Sequence, residues 1–134
     1  MRTDQYLQKW LDNYRSEDIS FLDEILDESV IFSSPVIFKS IEGKEMTKLY
    51  LMSAGESFNM DRFEYVKTIV QDCYCVLEFE TFIDEISVNG VDIITWNDEG
   101  KIIDFKVMVR PLKAIEKVKE KMMESLEQFN NKEA

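Results

Sequence analysis

The sequence contains no histidine, and this absence removes several kinds of chemistry. Without an imidazole there is no His-based acid–base pair, no Ser-His or Cys-His nucleophile and no histidine-ligated metal site. The only cysteines are Cys73 and Cys75. Two residues apart on a strand, they lie about 6.6 Å apart, whereas a disulfide needs Cβ atoms about 3.8 Å apart. We expect two free thiols in the reducing cytoplasm, with no disulfide, metal or cofactor.

Positive charge is scarce, and so are long apolar runs. Lysine and arginine total 16 against 27 aspartates and glutamates, which leaves a net charge of -11. Binding to nucleic acid or to an anionic membrane needs clustered cations, so neither partner is expected. No stretch approaches the ~18 apolar residues of a membrane helix, and the N-terminal residues do not resemble a signal peptide.

Apolar and aromatic residues are present in the amounts typical of a globular protein. Apolar residues make up 45% and aromatic residues 12% of the 134 positions. A chain of this length buries about two thirds of its unfolded surface and needs no disulfide or metal to hold it together. Residues 1–134 are therefore predicted to form a single domain.

The first half of the chain shows mainly the three-and-four spacing of helices. We predict, in order, a helix along the apolar stripe Tyr6–Tyr14, a shorter helix along Ile19–Leu26, a strand at Ser29–Ser34 ended by Pro35, a short return strand at Val36–Phe38, and a third helix that begins at Gly43 and is capped by Gly55.

From Asp61 onwards the apolar period changes to two, which is typical of strands. We predict four strands near 61–71, 73–83, 86–96 and 102–110. Their alternation of apolar and polar residues indicates an antiparallel sheet with one face on a core. Asn89-Gly90 is a hairpin signal, but a turn there would leave unequal strands. The turn is therefore placed at Asp84-Glu85 and Gly90 is interpreted as a bulge, and Pro111 begins a last helix.

This order of elements resembles the nuclear transport factor 2-like superfamily, in its SnoaL-like and ketosteroid isomerase-like branch. The matching segments are Trp10-Leu11-Asp12 through Glu17-Asp18-Ile19, Ser29 to Pro35, Glu42-Gly43-Lys44-Glu45, and Val91 to Ile102, which ends in Asn97-Asp98-Glu99-Gly100-Lys101-Ile102. The resemblance implies an α+β cone in which a bent antiparallel sheet wraps helices around a pocket, with an extra C-terminal helix. Members include isomerases, dehydratases, cyclases and binding proteins, so the fold does not select the activity.

The resemblance also allows the isomerase chemistry to be tested residue by residue. That branch uses an aspartate base before the strand-ending proline, where this chain has Ser34, which is not a base. A tyrosine donor on helix one is replaced by Trp10, whose indole N–H can donate but is not an acid. The remaining aspartate of the third meander strand corresponds to Asp92. Two of three roles are missing, which argues against steroid-type isomerisation by this mechanism.

Asp92 is the one candidate for chemistry, and two interpretations of it remain open. Pointing into an apolar pocket beside Val91, Ile93 and Ile94, it would have a raised pKa and could donate a hydrogen bond or transfer a proton. Alternatively, it lies on the outer face or accepts from a backbone N–H. Its predicted companions as ligand-binding residues are Trp10, Tyr14, Phe32, Ser34, Phe79, Phe105, Val107 and Val109.

Several of these and other polar residues also have ordinary structural interpretations. The ordinary interpretation of Tyr14 is a core residue, and that of Ser34 is a hydrogen-bonding residue at a strand end. Glu78 and Glu80 share an outer strand face, which is more typical of a solvated surface than of a site. Arg110 could bind a ligand carboxylate or an acidic neighbour.

Three functions follow from this sequence. The first is a small-molecule-binding domain with an apolar pocket. The second is an isomerase, dehydratase or cyclase that acts on an apolar carbonyl compound through Asp92. The third is a dimerisation or adaptor module without a ligand. In each case Val76, Phe82 and Met108 would leave an apolar outer sheet face, which predicts a homodimer.

Overall fold

The structure is a computed structural model that describes residues 2–16 and 18–133, with side chains described as far as 128. The described residues form four α-helices and six strands. They are α1 (Thr3–Asn13), α2 (Ser20–Ile25), β1 (Leu26–Ser33), β2 (Ile41–Glu42), α3 (Lys44–Ser57), β3 (Glu64–Gln71), β4 (Tyr74–Ile83), β5 (Ile86–Trp96), β6 (Ile102–Arg110) and α4 (Leu112–Glu133), with a 3₁₀ turn at Met60–Arg62 before β3. In the described residues no helix is long and apolar enough to cross a membrane.

The six strands form one open sheet in the order β2-β1-β6-β5-β4-β3. The meander β3 to β6 is antiparallel, as the alternation predicted, and the turn between β4 and β5 lies at Asp84-Glu85. However, β1 runs parallel to β6, with Phe32 opposite Phe105. The prediction of a purely antiparallel sheet is therefore wrong at this one pair. Alternation within a strand shows which face is buried but does not reveal the direction of its neighbour.

The predicted return strand is also misplaced. Residues 36–38 lie in a loop, and the strand that pairs with β1 is Ile41–Glu42. The Ser34 hydroxyl accepts hydrogen bonds from the backbone N–H groups of Val36 and Ile37, at 3.4 and 3.2 Å. This local turn satisfies donors that a strand would have paired, so the chain stays out of the sheet until Ile41.

Helix α3 begins after Gly43, as predicted, but Gly55 does not end it. The helix continues to Ser57, and the Phe58 backbone N–H closes it by donating to the Ala54 carbonyl. Gly43 has a φ of +102°, a conformation that residues with a Cβ rarely adopt. Gly55 has no positive φ, so nothing in its backbone stops the helix.

Gly90 is not a bulge. It pairs in register with Phe79 on one side and Val109 on the other. A Cβ built on it would lie 2.5 Å from the Phe79 ring and 2.6 Å from the Met108 carbonyl oxygen, so the glycine allows the ring to lie on the strand. The register shift in this part of the sheet lies instead between β5 and β6, near Ile103, which is 37% exposed.

The inner face of the sheet carries two packed clusters. One joins α1, α2 and β1 to the middle of the sheet and includes Trp10, Ile25 and Phe105. In the other, α4 packs Val118 and Met122 against the meander. Both thiols are free: Cys75 is buried and Cys73 is partly exposed, as expected for a chain without a disulfide. The two clusters leave a space between them.

Candidate functional site

A cavity of about 640 Å³ lies on the inner side of the sheet. Its deep wall is apolar, and aromatic rings form much of it. The aromatic lining residues are Trp10, Tyr14, Phe21, Phe32, Phe58, Phe63, Tyr65, Phe79 and Phe105. Four exposed polar residues, Arg15, Ser16, Glu56 and Asp61, also line it and mark the side that meets solvent. Val118 and Met122 bring α4 into the wall.

A chain of hydrogen bonds crosses the deep part of this cavity. Asp92 lies on the inward face of β5, is only 6% exposed, and has Leu77 and Val107 opposite it on the flanking strands. The Tyr65 hydroxyl, from β3, donates to Asp92 Oδ2 at 2.6 Å. The Trp10 indole N–H, from α1, donates to the Tyr65 hydroxyl oxygen at 3.1 Å. Three elements distant in sequence thus meet at one carboxyl group.

The surroundings of Asp92 change its acidity. Burial raises the pKa of its carboxyl to about 7, because an apolar environment penalises the charged form, while the hydrogen bond from Tyr65 acts in the opposite direction. Burial and the nearby Asp92 charge raise the pKa of Tyr65 well above its usual value. Near neutral pH the phenol is therefore protonated, and the carboxyl is close to the point where it gains or loses a proton.

Most of the predicted ligand-binding residues line this cavity, and the outer-face interpretation of Asp92 is excluded by its position. The seven that do so are Trp10, Tyr14, Phe32, Phe79, Asp92, Phe105 and Val107. Ser34 and Val109 do not line it, in contrast to the prediction. The Ser34 hydroxyl serves the turn after β1, and Val109 packs into the cluster beneath α4.

Tyr14 has a role at the solvent side of the cavity as well as in packing. Its ring stacks on Trp10 with centroids 6.3 Å apart, and its hydroxyl accepts from Arg15 Nε at 2.9 Å. Arg15 also donates through Nη2 to the Phe63 carbonyl oxygen. The arginine is thus held against the cavity wall by two bonds.

Other polar candidates lie away from the cavity. Glu78 accepts from Asn89 Nδ2 at 3.0 Å and lies 3.9 Å from Lys67 Nζ, on the outer face of the sheet. Glu80 and Arg110 are exposed on that face. In the described part of the chain, no group of three or more acidic residues or cysteines is arranged to hold a metal ion.

Sequence reasoning missed Tyr65, the residue that contacts Asp92 directly. Its strand was predicted, but β3 carries a register shift between Tyr65 and Lys67, so its two faces do not follow simple alternation. Tyr65 and Phe63 alternate inward before the shift, and Thr68 and Val70 after it. If the period-two pattern is interrupted between Tyr65 and Lys67, Tyr65 falls on the same inward face as Phe63 and is predicted to belong to the site.

Comparison with known proteins gives matches in structure alone. No protein-family model matches the chain, and no curated protein does. A steroid delta-isomerase from Pseudomonas aeruginosa matches with a TM-score of 0.91 and 27% identity over 98% of this chain and 96% of that one. An uncharacterised protein with a cystatin-like fold from Silicibacter pomeroyi matches with a TM-score of 0.81 and 28% identity over 87% and 82% of the two chains. A putative SnoaL-like polyketide cyclase from Jannaschia matches with a TM-score of 0.70 and 13% identity over 87% and 91%.

The chain is an α+β protein with the cystatin-like, nuclear transport factor 2-like fold. These structural matches confirm, at the level of the fold, the resemblance that the sequence segments first indicated.

Proposed function

We propose that this protein binds a small apolar molecule carrying one oxygen atom in the cavity beside Asp92. The observation that carries the proposal is the buried hydrogen-bonded carboxyl at the end of an aromatic cavity. A volume of about 640 Å³ lies within the range of small-molecule sites. A space of this size favours a ligand-binding protein over an adaptor module with a filled interior.

The chemistry of the wall supports an apolar ligand with one polar contact. Aromatic side chains offer large apolar areas at little entropic cost. Asp92 Oδ2 already accepts from Tyr65, whereas Oδ1 has no hydrogen-bond partner among the described residues. A ligand oxygen that reaches Oδ1 would satisfy the remaining polar atom, and a pure hydrocarbon would leave it unpaired.

The test compares two probes of nearly equal shape, 2-acetylnaphthalene and 2-ethylnaphthalene, by calorimetric titration near pH 6. The ketone is expected to bind about 10-fold more tightly, as one hydrogen bond to a buried group implies. In Asp92→Leu this preference should vanish, while Glu80→Leu, which removes an exposed outer-face carboxyl, should keep it. Equal affinities for the two probes in the wild-type protein would contradict the proposal.

A second candidate function is proton transfer on a carbonyl compound. It is favoured by the likeness to a steroid delta-isomerase and by two further carboxyl groups, Glu56 and Asp61, in the wall that contains Asp92. Glu56 Oε2 accepts from the Ser125 hydroxyl at 2.8 Å, which holds it against α4. Either carboxylate could act as the base that removes a proton from the carbonyl compound, a role that Ser34 cannot fill.

The enzymatic candidate implies a balanced isomerisation of a β,γ-unsaturated ketone. The base removes a proton from the carbon between the carbonyl and the double bond, Asp92 donates a hydrogen bond to the enolate oxygen, and the proton returns to the far end of the double bond. Ultraviolet absorbance of the conjugated enone measures the product. Glu56→Gln or Asp61→Asn should remove activity with little loss of ketone binding. Absence of any wild-type turnover would leave binding as the function.

We also propose that two copies associate through the outer sheet face. Val76, Ile93 and Ile69 form an apolar row across three strands, and Met108, on the neighbouring row, is 50% exposed. Phe82, which was predicted to belong to this surface, carries the Arg62 guanidinium 3.5 Å above its ring. The dimer surface is therefore centred on Val76 and Met108.

A further inference from the structure

The hydrogen bonds that link Trp10, Tyr65 and Asp92 run in one direction, which is set by the indole of Trp10. An indole N–H can donate but cannot accept, so Trp10 must be the donor to Tyr65. The Tyr65 hydroxyl has one proton, and Asp92 Oδ2 is its only acceptor among the described residues. The chain therefore runs from Trp10 through Tyr65 to Asp92.

This direction distinguishes the two oxygen atoms of Asp92. Because Oδ2 accepts from Tyr65, a proton on the neutral carboxyl belongs on Oδ1. If the proton were on Oδ2 instead, the Tyr65 proton would have no acceptor in the described structure. We propose that Trp10 and Tyr65 are positioning residues that make Asp92 Oδ1 the single donor to a ligand's carbonyl oxygen, and that neither of the two contacts the ligand oxygen. The inference rests on the proposed function for its ligand.

The groups around Asp92 leave few competitors for its proton. The titratable groups are Tyr65 on β3, the buried Cys75 thiol on β4 and Tyr14 just after α1, while Leu77 and Val107 flank it from β4 and β6. Arg15, Glu56 and Asp61 line the solvent side of the same cavity. Of all these, only Tyr65 is hydrogen-bonded to the carboxyl.

The variant Tyr65→Phe removes the hydroxyl and keeps the ring. The ring packs edge-on against Phe63 and Tyr14, with centroids 5.1 and 4.9 Å away, and these contacts do not involve the hydroxyl. Trp10→Phe removes the donor at the other end of the chain. Tyr6→Phe is the matched control, because its hydroxyl donates to the Asp98 carbonyl in the β5–β6 loop, outside the cavity wall.

Whether the Asp92 pKa rises or falls in Tyr65→Phe decides the direction of these hydrogen bonds. The Asp92 carboxyl carbon is followed by NMR in carbon-13-labelled protein, and the signal lost in Asp92→Asn identifies it. A hydroxyl that donates to the carboxylate stabilises the charged form, so Tyr65→Phe should raise the Asp92 pKa by about one unit. Trp10→Phe should raise it less, and Tyr6→Phe should leave it unchanged. A fall or no change in Tyr65→Phe would overturn the inference, because Asp92 would then be the donor to Tyr65 or not coupled to it.

A binding profile tests the consequence for the ligand. Affinity for 2-acetylnaphthalene should be constant below the Asp92 pKa and fall by about tenfold in total as the pH rises through that pKa, because Oδ1 loses its proton. In Tyr65→Phe the pH at which affinity begins to fall should rise together with the Asp92 pKa. At pH 8 this variant should therefore bind the ketone more tightly than the wild type. A role in packing alone would weaken binding equally at every pH and would overturn the inference. If the wild type does not bind the probe, the proposed function fails, whereas the titration still decides the hydrogen-bond direction.

Discussion

At the scale of single residues, the burial of one carboxyl group dominates the chemistry of this protein. Asp92 is held in an apolar wall, and Tyr65 donates to it, so that its acidity reflects a balance between desolvation and one hydrogen bond. Desolvation is the larger effect, because the pKa is raised despite the favourable contact. This places the change of charge near neutral pH, so stability and the proposed ligand binding are both expected to depend on pH.

Stability should fall between about pH 4 and pH 7 because of Asp92. Its pKa is about 7 in the folded chain against 3.8 for the free group, so the folded state holds the proton more strongly across this interval. The favourable contribution is complete below the lower value and is lost as pH rises through the upper one. Urea unfolding at pH 5 and pH 8 should show the wild type losing about 2–3 kcal/mol relative to Asp92→Asn.

The exposed carboxyl Glu80 provides the control for this measurement. Glu80→Gln should show the same change between the two pH values as the wild type, because this residue lies on the solvated outer face. A wild type and an Asp92→Asn variant whose stabilities run parallel from pH 4 to pH 8 would show that Asp92 is not desolvated in the folded protein.

Gly90 is a residue whose surroundings leave no room for a side chain. In Gly90→Ala the new methyl group would meet the Phe79 ring at 2.5 Å and the Met108 carbonyl oxygen at 2.6 Å. The ring can move only into the cavity, and the carbonyl belongs to the sheet ladder, so a loss of about 2–3 kcal/mol is expected in urea unfolding. A variant as stable as the wild type would mean that Phe79 does not lie on this strand.

At the scale of elements, helix α3 shows how a sequence signal can mislead. A glycine just after the last helical residue commonly caps a helix, which is why Gly55 was predicted to end α3, yet Gly55 is an interior residue that costs helix stability. The actual end depends on Phe58, whose ring packs against Phe63 and Phe79 at 6.2 and 5.6 Å. Those contacts come from the residue just before β3 and from β4, and no local pattern in α3 contains them.

Gly55→Ala should therefore stabilise the protein. A Cβ at this position would have no atom within 4 Å, and the backbone has no positive φ. Alanine should gain about 0.5–1 kcal/mol over glycine in a helix interior. Thermal unfolding should show a higher midpoint than in the wild type, opposite in sign to Gly90→Ala. A loss of stability would indicate that the helix ends at Gly55 after all.

At the scale of the whole molecule, the sheet divides the protein into two surfaces with different roles. Its inner face holds the cavity, and its outer face exposes Met108 and Ile69 at 50% and 54%. Apolar residues grouped in this way on one face are typical of an interface. Since the two faces belong to the same strands, a dimer formed through the outer face would leave the inner cavity open.

Light scattering at micromolar concentration should report a particle of about twice 15.8 kDa. Met108→Glu should reduce it to the monomer mass, because it would place an unpaired charge in an apolar contact. Leu112→Glu is the matched control, since Leu112 is 71% exposed at the start of α4 and lies outside the sheet face. A wild-type monomer at all concentrations tested would refute the outer-face dimer.

Local patterns in the sequence were sufficient for most of the fold. The period-two alternation of β4 identified its buried face, and Pro111 marked the start of α4. In β6 the register shift leaves Ile103 exposed, although the alternation predicts that it lies on the buried face with Phe105. The resemblance to the superfamily pointed Asp92 into the pocket, where the structure places it. These features were predictable because each depends on residues adjacent in sequence or on a spacing that repeats within one element.

The sequence by itself determined the helices, the four strands of the meander, the buried face of β4 and the absence of histidine chemistry. Only the tertiary structure decided the parallel pairing of β1 with β6 and the chain from Trp10 through Tyr65 to Asp92. The partners in that chain are 55 and 27 residues apart, so their contact depends on how the sheet curves and where β3 shifts register. The pKa of Asp92 follows from the same packing, because desolvation is a property of the assembled wall and of no single segment.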